Sequence, residues 1–317
     1  MRLLTTLAAA AAASASLVSA TWQQSNGTHF VDPISEETLR TFSCGTRVRH
    51  GGDDFAGTLQ KMQKAQKERV KQHGGTRRPG ALSVRQTVPQ PIVIPTYFHV
   101  LQSTAKAGTV TEAMAANQAG ALNKAYNPYG ISFNLLGTDF TTNDAWAVAA
   151  GPDMDAAKKA LRKGTYSTLN IYFHTDFTGG NLGTCSLPST VPPNSEPGLY
   201  ASDGCNVNAA TMPGGAMLGY NMGGTAIHET GHWLGLLHTF EGYNCDGPGD
   251  YIDDTPAQSV ATNGCPAKPA KDSCPGMTGV DPIHNYMDYS TDACYEGFTP
   301  LQVQRMGNMW QQYRAGM

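Results

Sequence analysis

Three histidines and a glutamate lie close together in the second half of the chain, in the order His-Glu-x-x-His-x-x-Gly-x-x-His. On a helix, His228 and His232 lie one turn apart on the same face, so both imidazoles can reach one zinc ion. Gly235 can adopt a left-handed backbone conformation that ends the helix and brings His238 to the metal as a third nitrogen ligand. Three protein ligands leave a fourth position open for water, as in catalytic zinc sites. Glu229, beside the first ligand, is placed to accept a proton from that water.

The motif follows a series of strand and helix patterns that could position it. The predicted elements are strands over residues 92–100, 131–135 and 169–173, helices over 112–126 and 153–163, and a last helix that opens at Thr299 with a capping pattern. The first strand has Pro95 near its start or at a bulge. This interleaving favours a twisted sheet with helices packed against it. His99 and His174 fall in or beside the strands, and we expect ordinary packed or surface histidines there, because the three-histidine site is already complete.

The start of the chain has the features of a secretory signal. A positively charged beginning is followed by an uncharged run of Leu and Ala, and residues 18–20 form a small-x-small end. A transmembrane anchor is the alternative, but the apolar stretch is short and Ala-rich, and no later stretch approaches a spanning length. We therefore expect a signal peptide over residues 1–20, a leader over 21–88 and one catalytic domain over 89–317, with no membrane anchor. Secretion also makes Asn-Gly-Thr at residues 26–28 a glycosylation sequon.

The leader contains a strongly basic stretch, in which eight Lys and Arg residues and one Glu fall between residues 61 and 85. A basic amphipathic helix can bind membranes or nucleic acid, but this one has few large apolar residues, and the net charge of -3 argues against nucleic acid as a partner. We expect a solvated helix followed by a processing linker that includes Arg77 and Arg78. Because Pro79 disfavours cleavage directly after that pair, the cut is expected later, near Arg85.

One of the cysteines must be unpaired within the molecule, because the chain has seven. Cys44, in the leader, is the natural unpaired one. A thiolate is a strong zinc ligand, so Cys44 in the open fourth position would keep the site inert until the leader is removed. The alternative is an unpaired or intermolecular cysteine without a role.

The other six cysteines are expected to form disulfides, since the secretory pathway is oxidising. Cys185 and Cys205 bracket a stretch rich in Gly, Pro, Ser and Asn, and they pair most simply with each other. This stretch, residues 179–224, can provide an extended edge that pairs with a substrate backbone, and a purely structural loop is the alternative. Four later cysteines permit three pairings and are Cys245, Cys265, Cys274 and Cys294. A structural zinc held by these four thiols is the rival, but the spacing lacks a close Cys-x-x-Cys pair.

An acidic, glycine-rich stretch follows the metal motif. Its carboxylates belong to Asp246, Asp250, Asp253 and Asp254. Several oxygens on one loop can wrap a calcium ion, although the spacing matches no EF-hand loop. Acidic turns and helix caps are the alternative explanation.

Residues 285–289, Asn-Tyr-Met-Asp-Tyr, complete the signature. With them the chain resembles the metzincin metallopeptidases, in which the extended zinc motif is followed by a turn that carries a methionine beneath the metal. Met287 matches that methionine, and Tyr289 matches the tyrosine that several metzincin families use to hydrogen-bond the oxyanion of the intermediate. The resemblance implies an α+β, metzincin-type zincin fold. Such a fold has a twisted mixed sheet with packed helices, an irregular disulfide-rich C-terminal subdomain, and the active-site cleft between them.

More narrowly, the chain is similar to the pappalysin family, in particular to its short secreted members. The Cys-Gly-Thr sequence at residues 44–46 resembles the latency cysteine of that group. The late cysteines resemble its two crossed bridges, which implies disulfides Cys245–Cys274 and Cys265–Cys294.

The motif and the resemblance together predict a secreted, monomeric zinc endopeptidase that acts on proteins or peptides. A zinc hydrolase of a non-peptide substrate is one alternative. A non-catalytic, disulfide-rich binding protein is another, although a pure scaffold has no need of the base Glu229. The resemblance also puts Asp292 near the expected wall of the pocket beyond the scissile bond, where a carboxylate would favour a basic side chain. The alternative is a carboxylate that simply faces solvent.

Overall fold

The computed structural model describes residues 23–25, 29–31, 38–40, 43–46, 55–72, 88–178 and 180–317. The expected signal peptide, the sequon at residues 26–28 and the processing linker lie outside the described residues. Among the helices that the structure does describe, none has the length and apolar character needed to cross a membrane.

The N-terminal part of the chain, for which the sequence predicts a leader, contributes a small sheet and one long helix. The elements are β1 (Gln23–Ser25), β2 (His29–Val31), β3 (Thr38–Arg40) and α1 (Phe55–Gln72). The three strands pair antiparallel in the order β1-β2-β3.

A five-stranded mixed sheet follows. Its strands are β4 (Ile92–Gln102), β5 (Ile131–Thr142), β6 (Leu169–His174), β7 (Gly183–Cys185) and β8 (Cys205–Asn208). The order is β5-β4-β6-β8-β7; four strands are parallel, and β7 forms an antiparallel edge against β8. Pro95 lies where β4 pairs with β5 alone, because pairing with β6 begins at Thr96, and a register shift follows between Thr96 and Tyr97. A missing backbone N–H is tolerated at such a position.

Helices pack against this sheet and enclose the main hydrophobic core between them. They are α2 (Glu112–Tyr126), α3 (Asp144–Ala147), α4 (Gly151–Leu161), α5 (Gly224–Trp233) and α6 (Pro300–Met309), the last continuing into a π-helical turn (Trp310–Arg314). The predicted helix over 153–163 is shifted two residues toward the N-terminus. Thr299 and Gln302 form the capping box expected at the start of α6.

The region between the metal motif and α6 is irregular and held by disulfides. Cys245–Cys274 and Cys265–Cys294 join its loops, while Cys185–Cys205 joins the paired strands β7 and β8. A mixed sheet, packed helices and this disulfide-rich region confirm the predicted fold class. His99 and His174 are both buried in the sheet. His99 contacts Asp139 and Asn170, and His174 contacts the carbonyl of Trp146 and Asn206.

Helix α1 is not the solvated helix that its composition suggests. Phe55 is 7% exposed and Leu59 is fully buried, and both pack against Leu237 and Met309 of the catalytic region. The expectation of a solvated helix is thus wrong for one face of α1, while Lys61, Lys64 and Lys67 are exposed as expected. A few apolar residues spaced three and four apart, completed by Met62, are enough to cover one groove.

Candidate metal centre

Helix α5 places two histidines inside the protein, because all ten of its residues are buried. It ends in a tight C-terminal turn. The N–H of Gly235 donates to the carbonyl of His232 at 2.8 Å, and the N–H of Leu236 donates to that of Gly231 at 2.9 Å. Gly235 has a φ of 89°, and a Cβ there would also collide with the side chain of Met309. This left-handed turn is what a Schellman motif requires, and it redirects the chain toward His238.

The three histidines converge on one point. The Nε2 atom of His232 lies 3.1 Å from the Nε2 atoms of both His228 and His238. Nδ1 of His228 donates to the carbonyl of Tyr286 at 2.7 Å, and Nδ1 of His232 donates to that of Leu236 at 2.8 Å. These two Nε2 atoms therefore carry lone pairs rather than protons.

Converging lone pairs repel one another unless a cation lies between them. Ligands at zinc–nitrogen distances of 2.0–2.1 Å in a tetrahedron are separated by about 3.3 Å, close to the spacing found here. Burial, together with the neighbouring His238, also lowers the pKa of both His228 and His232 well below the usual value. Neutral imidazoles are the form that binds metal, so the donor set fits a zinc ion.

Cys44 is the fourth potential ligand. Its Sγ atom and one ring nitrogen from each of the three histidines all lie within 4.8 Å of one another. Cys44 is the unpaired cysteine of the chain. Burial, and next the charge of Glu229, raises the pKa of this thiol well above its ordinary value.

Glu229 is completely buried beside the histidines. Burial raises the pKa of its carboxyl to about 8, against the opposing effect of hydrogen bonds from Cys44 and Thr46. Thr46 Oγ1 donates to Glu229 Oε2 at 3.2 Å. Gly183 in the edge strand leaves room for this carboxylate, because a Cβ at that position would overlap with Glu229.

Met287 and Tyr289 lie on the turn below and beside the histidines. Met287 is fully buried and packs directly against Gly231 of α5, where a Cβ would overlap its sulfur. The Tyr289 hydroxyl lies 3.2 Å from Nε2 of His238. The same hydroxyl accepts a hydrogen bond from the backbone N–H of Cys44 at 2.9 Å. It therefore stands next to the metal position and in contact with the leader.

The leader segment 43–46 lies along the edge strand β7. The N–H of Leu182 donates to the carbonyl of Ser43 at 2.7 Å, and the N–H of Gly45 donates to that of Gly183 at 2.9 Å. Cys44 and Gly183 form a parallel bridge. The segment thus covers the metal centre by adding to the open edge of the sheet.

Two residues of the site were not singled out from the sequence. Thr46 accepts a hydrogen bond from the N–H of Cys185 at 2.7 Å while it donates to Glu229. Asp288 is fully buried and braces the Met287 turn by accepting from the N–H of Thr262 at 3.0 Å. Thr46 and Glu229 are 183 positions apart, so no spacing pattern could have revealed their contact.

The acidic loop after the histidines serves several separate contacts. Asp254 accepts from Thr299 Oγ1 at 2.6 Å and from the N–H of Leu301 at 2.9 Å, which caps α6. Asp253 faces α1, and Asp250 accepts from the N–H of Ile252 at 3.0 Å. Within the described residues, no group of three side chains from this loop converges as the histidines do.

Asp292 lies at the other end of α5. Its Oδ2 accepts from the N–H of Met222 at 2.7 Å, just before the helix, and from the N–H of Gly224, the first helical residue, at 3.1 Å. Its Oδ1 is buried without a hydrogen-bond partner among the described residues. Burial raises the pKa of this carboxyl to about 6, against those backbone hydrogen bonds.

The mixed sheet, the buried helix with its histidines and the methionine turn beneath it define a metzincin-type metallopeptidase. Mature mirolysin from Tannerella forsythia, solved in complex with a cleaved peptide, has a similar structure. It is 26% identical to this chain with a TM-score of 0.60, and the match covers 71% of this chain and 94% of mirolysin.

Sequence comparison narrows this class to a family. The model of Peptidase_M43, described as pregnancy-associated plasma protein-A, matches residues 160–311. The extracellular metalloprotease of Podospora anserina is 46% identical over 277 residues, covering 87% of this chain and 91% of the relative. The extracellular metalloprotease of Neurospora crassa is 47% identical over 280 residues, covering 88% of this chain and 91% of the relative. The chain therefore belongs to the M43 peptidases, the pappalysin family, and is a zinc metalloprotease.

Proposed function

We propose that the chain is a secreted zinc endopeptidase in which His228, His232 and His238 hold the ion and Glu229 is the general base. The convergence of three Nε2 atoms beside one buried carboxylate is the observation that supports this most strongly. The extracellular relatives support the location.

Zinc, when bound, polarises the substrate carbonyl and lowers the pKa of a water molecule. Glu229 takes a proton from the attacking water at a carboxylate oxygen and returns it to the departing amine. The Tyr289 hydroxyl donates a hydrogen bond to the carbonyl oxygen as negative charge develops there. Met287 packs against α5 beneath the metal position and holds His228 and His232 in their positions relative to the third ligand.

The edge strand β7 supports binding of an extended peptide. The N–H of Leu182 and the carbonyl of Gly183 are used by the leader in this structure. When the leader departs, these groups can form the same kind of hydrogen bonds with a substrate backbone. Peptide and protein substrates are therefore favoured over other hydrolysable molecules.

Replacing Glu229 tests the mechanism. Glu229→Ala should retain zinc and fold but lose peptidase activity on casein by roughly 10³-fold or more, because Glu229 is the carboxylate that lies buried beside the histidines in the described part of the chain. His228→Ala is the matched control and should lose zinc as well. Wild-type activity in Glu229→Ala would contradict the proposal.

The two alternatives are separated by a gelatin or casein zymogram with and without a zinc chelator. Clearing that the chelator abolishes supports an endopeptidase. Chelator-sensitive hydrolysis of esters without clearing would indicate a non-peptide hydrolase. The absence of both activities would indicate a binding protein. Cleavage-site profiling on a peptide library would then show whether Asp292 favours a basic side chain beyond the scissile bond.

We further propose that residues 21–88, after removal of a signal peptide at 1–20, form an inhibitory leader for a catalytic domain at 89–317. Cys44 supports this, because its Sγ atom lies within 4.8 Å of a ring nitrogen of each histidine. A thiolate there would take the fourth ligand position that water needs. The leader also uses the polar groups of Glu229 and Tyr289 and the edge of β7.

Cys44→Ala tests the latency of the precursor. The variant should be active or self-processing as it is produced, since the thiol no longer competes with water. Activity per molecule is compared with the wild-type precursor before any processing, and Ser43→Ala is the neighbouring control. A Cys44→Ala precursor as latent as the wild type would argue against Cys44 as the inhibitory ligand.

Calcium binding by the acidic loop stays a prediction of the sequence, as does a monomeric state. The contacts of Asp254 support the capping alternative for that residue. Calcium binding is tested by adding calcium to the processed chain and measuring whether its thermal unfolding temperature rises. Sedimentation tests the monomeric state.

A further inference from the structure

Among the described residues, two parts of the leader that lie well before the predicted cleavage region contact the catalytic region. One is the segment 43–46 at the metal centre. The other is helix α1, which lies in a groove that we call the helix groove. The helix groove is formed by Leu187, Leu237, Tyr251, Met309 and Tyr313, with Asp253 at its rim.

Apolar burial gives the second contact its strength. Leu59 is fully buried, and the groove residues Leu237 and Met309 are 2% and 0% exposed beneath it. Leu237 directly precedes the metal ligand His238, and Met309 packs against Gly235. Leu237 thus places part of the groove floor on the turn that carries the third histidine, and Met309 of α6 rests against the same turn.

Polar contacts fix the orientation of α1 along the groove. Gln63 Nε2 donates to Asp253 Oδ1 at 2.7 Å, and Lys67 Nζ lies 3.3 Å from the same oxygen. Gln66 Nε2 donates to Gln304 Oε1 of α6 at 2.7 Å. A basic helix thus faces an acidic loop, which adds charge complementarity to the apolar contact.

None of these contacts depends on the peptide chain that links α1 to the catalytic domain. The predicted cleavage region begins after Gln72, the last residue of α1. Cutting there removes no contact described above. The leader would remain attached at two points separated by only a few residues, and two linked contacts hold more tightly than either alone.

We propose that the helix groove is a binding site of the mature enzyme for its own leader helix. The helix groove keeps the excised leader bound as a non-covalent inhibitor after the linker is cut. This inference rests on the proposed inhibitory role of the leader. Its occupant is residues 55–72 of this chain, and the groove is a second contact, distinct from the metal centre.

The test uses the full chain with a site for a specific protease inserted between Arg77 and Arg78. All chains carry Glu229→Ala, so that proteolysis does not degrade the released leader. After cutting at micromolar concentration, gel filtration under native conditions should show the leader fragment eluting with the catalytic domain. Separation of the two wild-type fragments would overturn the proposal.

Variants on either side of the groove identify the contact. Leu59→Ala should raise the dissociation constant of the leader on the order of 30-fold, from the lost apolar burial. Lys67→Asp should weaken retention, whereas Lys64→Asp, the same change at an exposed position of α1, should not. Adding Asp253→Lys to the Lys67→Asp chain exchanges the two charges and should restore retention of the leader fragment. Equal effects of Lys64→Asp and Lys67→Asp, without rescue, would count against the groove.

A Cys44→Ala chain separates this proposal from that of latency. If the helix groove holds the leader, the cut Cys44→Ala chain retains a substantial fraction of its leader fragment, and Leu59→Ala abolishes that fraction. Complete loss of the leader from Cys44→Ala alone would show that the metal centre is the sole attachment and would overturn the groove. Latency itself is judged independently, by the activity of the Cys44→Ala precursor with Glu229 intact.

Discussion

Under the proposed function, single side chains at the metal centre serve two states of the chain. The Tyr289 hydroxyl accepts from the N–H of Cys44 in the precursor, and the proposed reaction uses the same hydroxyl as a donor to the oxyanion. Thr46 likewise engages Glu229, the proposed base. If residues 21–88 are the proposed inhibitory leader, they occupy the groups that the proposed reaction needs. Each of these hydrogen bonds then excludes the catalytic use of the same group.

Tyr289→Phe separates the two roles of this hydroxyl. In the processed enzyme we expect kcat to fall by about 10²-fold, the usual cost of one oxyanion donor, with KM and zinc content little changed. The precursor should also release its leader more readily, because the N–H of Cys44 loses its acceptor. Steady-state kinetics on a fluorogenic peptide measure the first effect. Tyr243→Phe, at an exposed aromatic residue nearby, is the control. Unchanged kcat in Tyr289→Phe would remove the tyrosine from the mechanism.

At the scale of elements, the sequence predicts what is encoded locally. The histidine spacing, the turn at Gly235 and the capping box at Thr299 each involve residues within one or two helical turns, so their geometry can be read directly. The same holds for the alternating strands. Contacts between distant segments leave no such pattern. The docking of α1, the hydrogen bond from Thr46 to Glu229 and the bracing of the methionine turn by Asp288 all depend on the assembled fold.

Helix α4 shows how a polar residue on one element can secure another. Lys158 is 4% exposed, and its Nζ donates to the carbonyls of Ser202 at 2.9 Å and Gly204 at 3.3 Å, directly before β8. Burial lowers its pKa from 10.5 to about 8, against the attraction of Asp203. The ammonium thus joins α4 to the loop closed by the Cys185–Cys205 disulfide.

This lysine should make stability depend on alkaline pH. Between about pH 8 and 10.5 the unfolded chain binds a proton that the folded chain has released, so stability should rise with pH across this window. Lys158→Met should lack that rise, whereas Lys159→Met, at an exposed neighbouring position, should keep it. Urea unfolding from pH 7.5 to 10, in a Cys44→Ala background that prevents thiol exchange, measures the difference. Parallel pH profiles for the two variants would contradict the assignment.

At the scale of the whole molecule, the metal centre joins three parts of the chain. Helix α5 packs on the sheet and supplies two histidines. The irregular C-terminal region supplies the carbonyl of Tyr286, which orients His228, and the supporting Met287. The leader supplies Cys44. A metal held here therefore couples the stability of all three parts, and a change in any of them should alter how firmly the metal is held.

Zinc retention tests this coupling. The precursor offers three imidazoles and a thiolate, whereas the processed enzyme offers three imidazoles, so a chelator should remove zinc from the precursor more slowly, by about tenfold or more. Cys44→Ala should bring the precursor to the rate of the processed enzyme, because the helix groove binds the leader without contributing a ligand. Leu59→Ala should fall between the two, since a loosened leader presents its thiol less often. Zinc release into a chromogenic chelator gives all four rates in one assay. Equal rates for the wild-type and Cys44→Ala precursors would show that the thiol does not bind the metal, even if the leader still covers it.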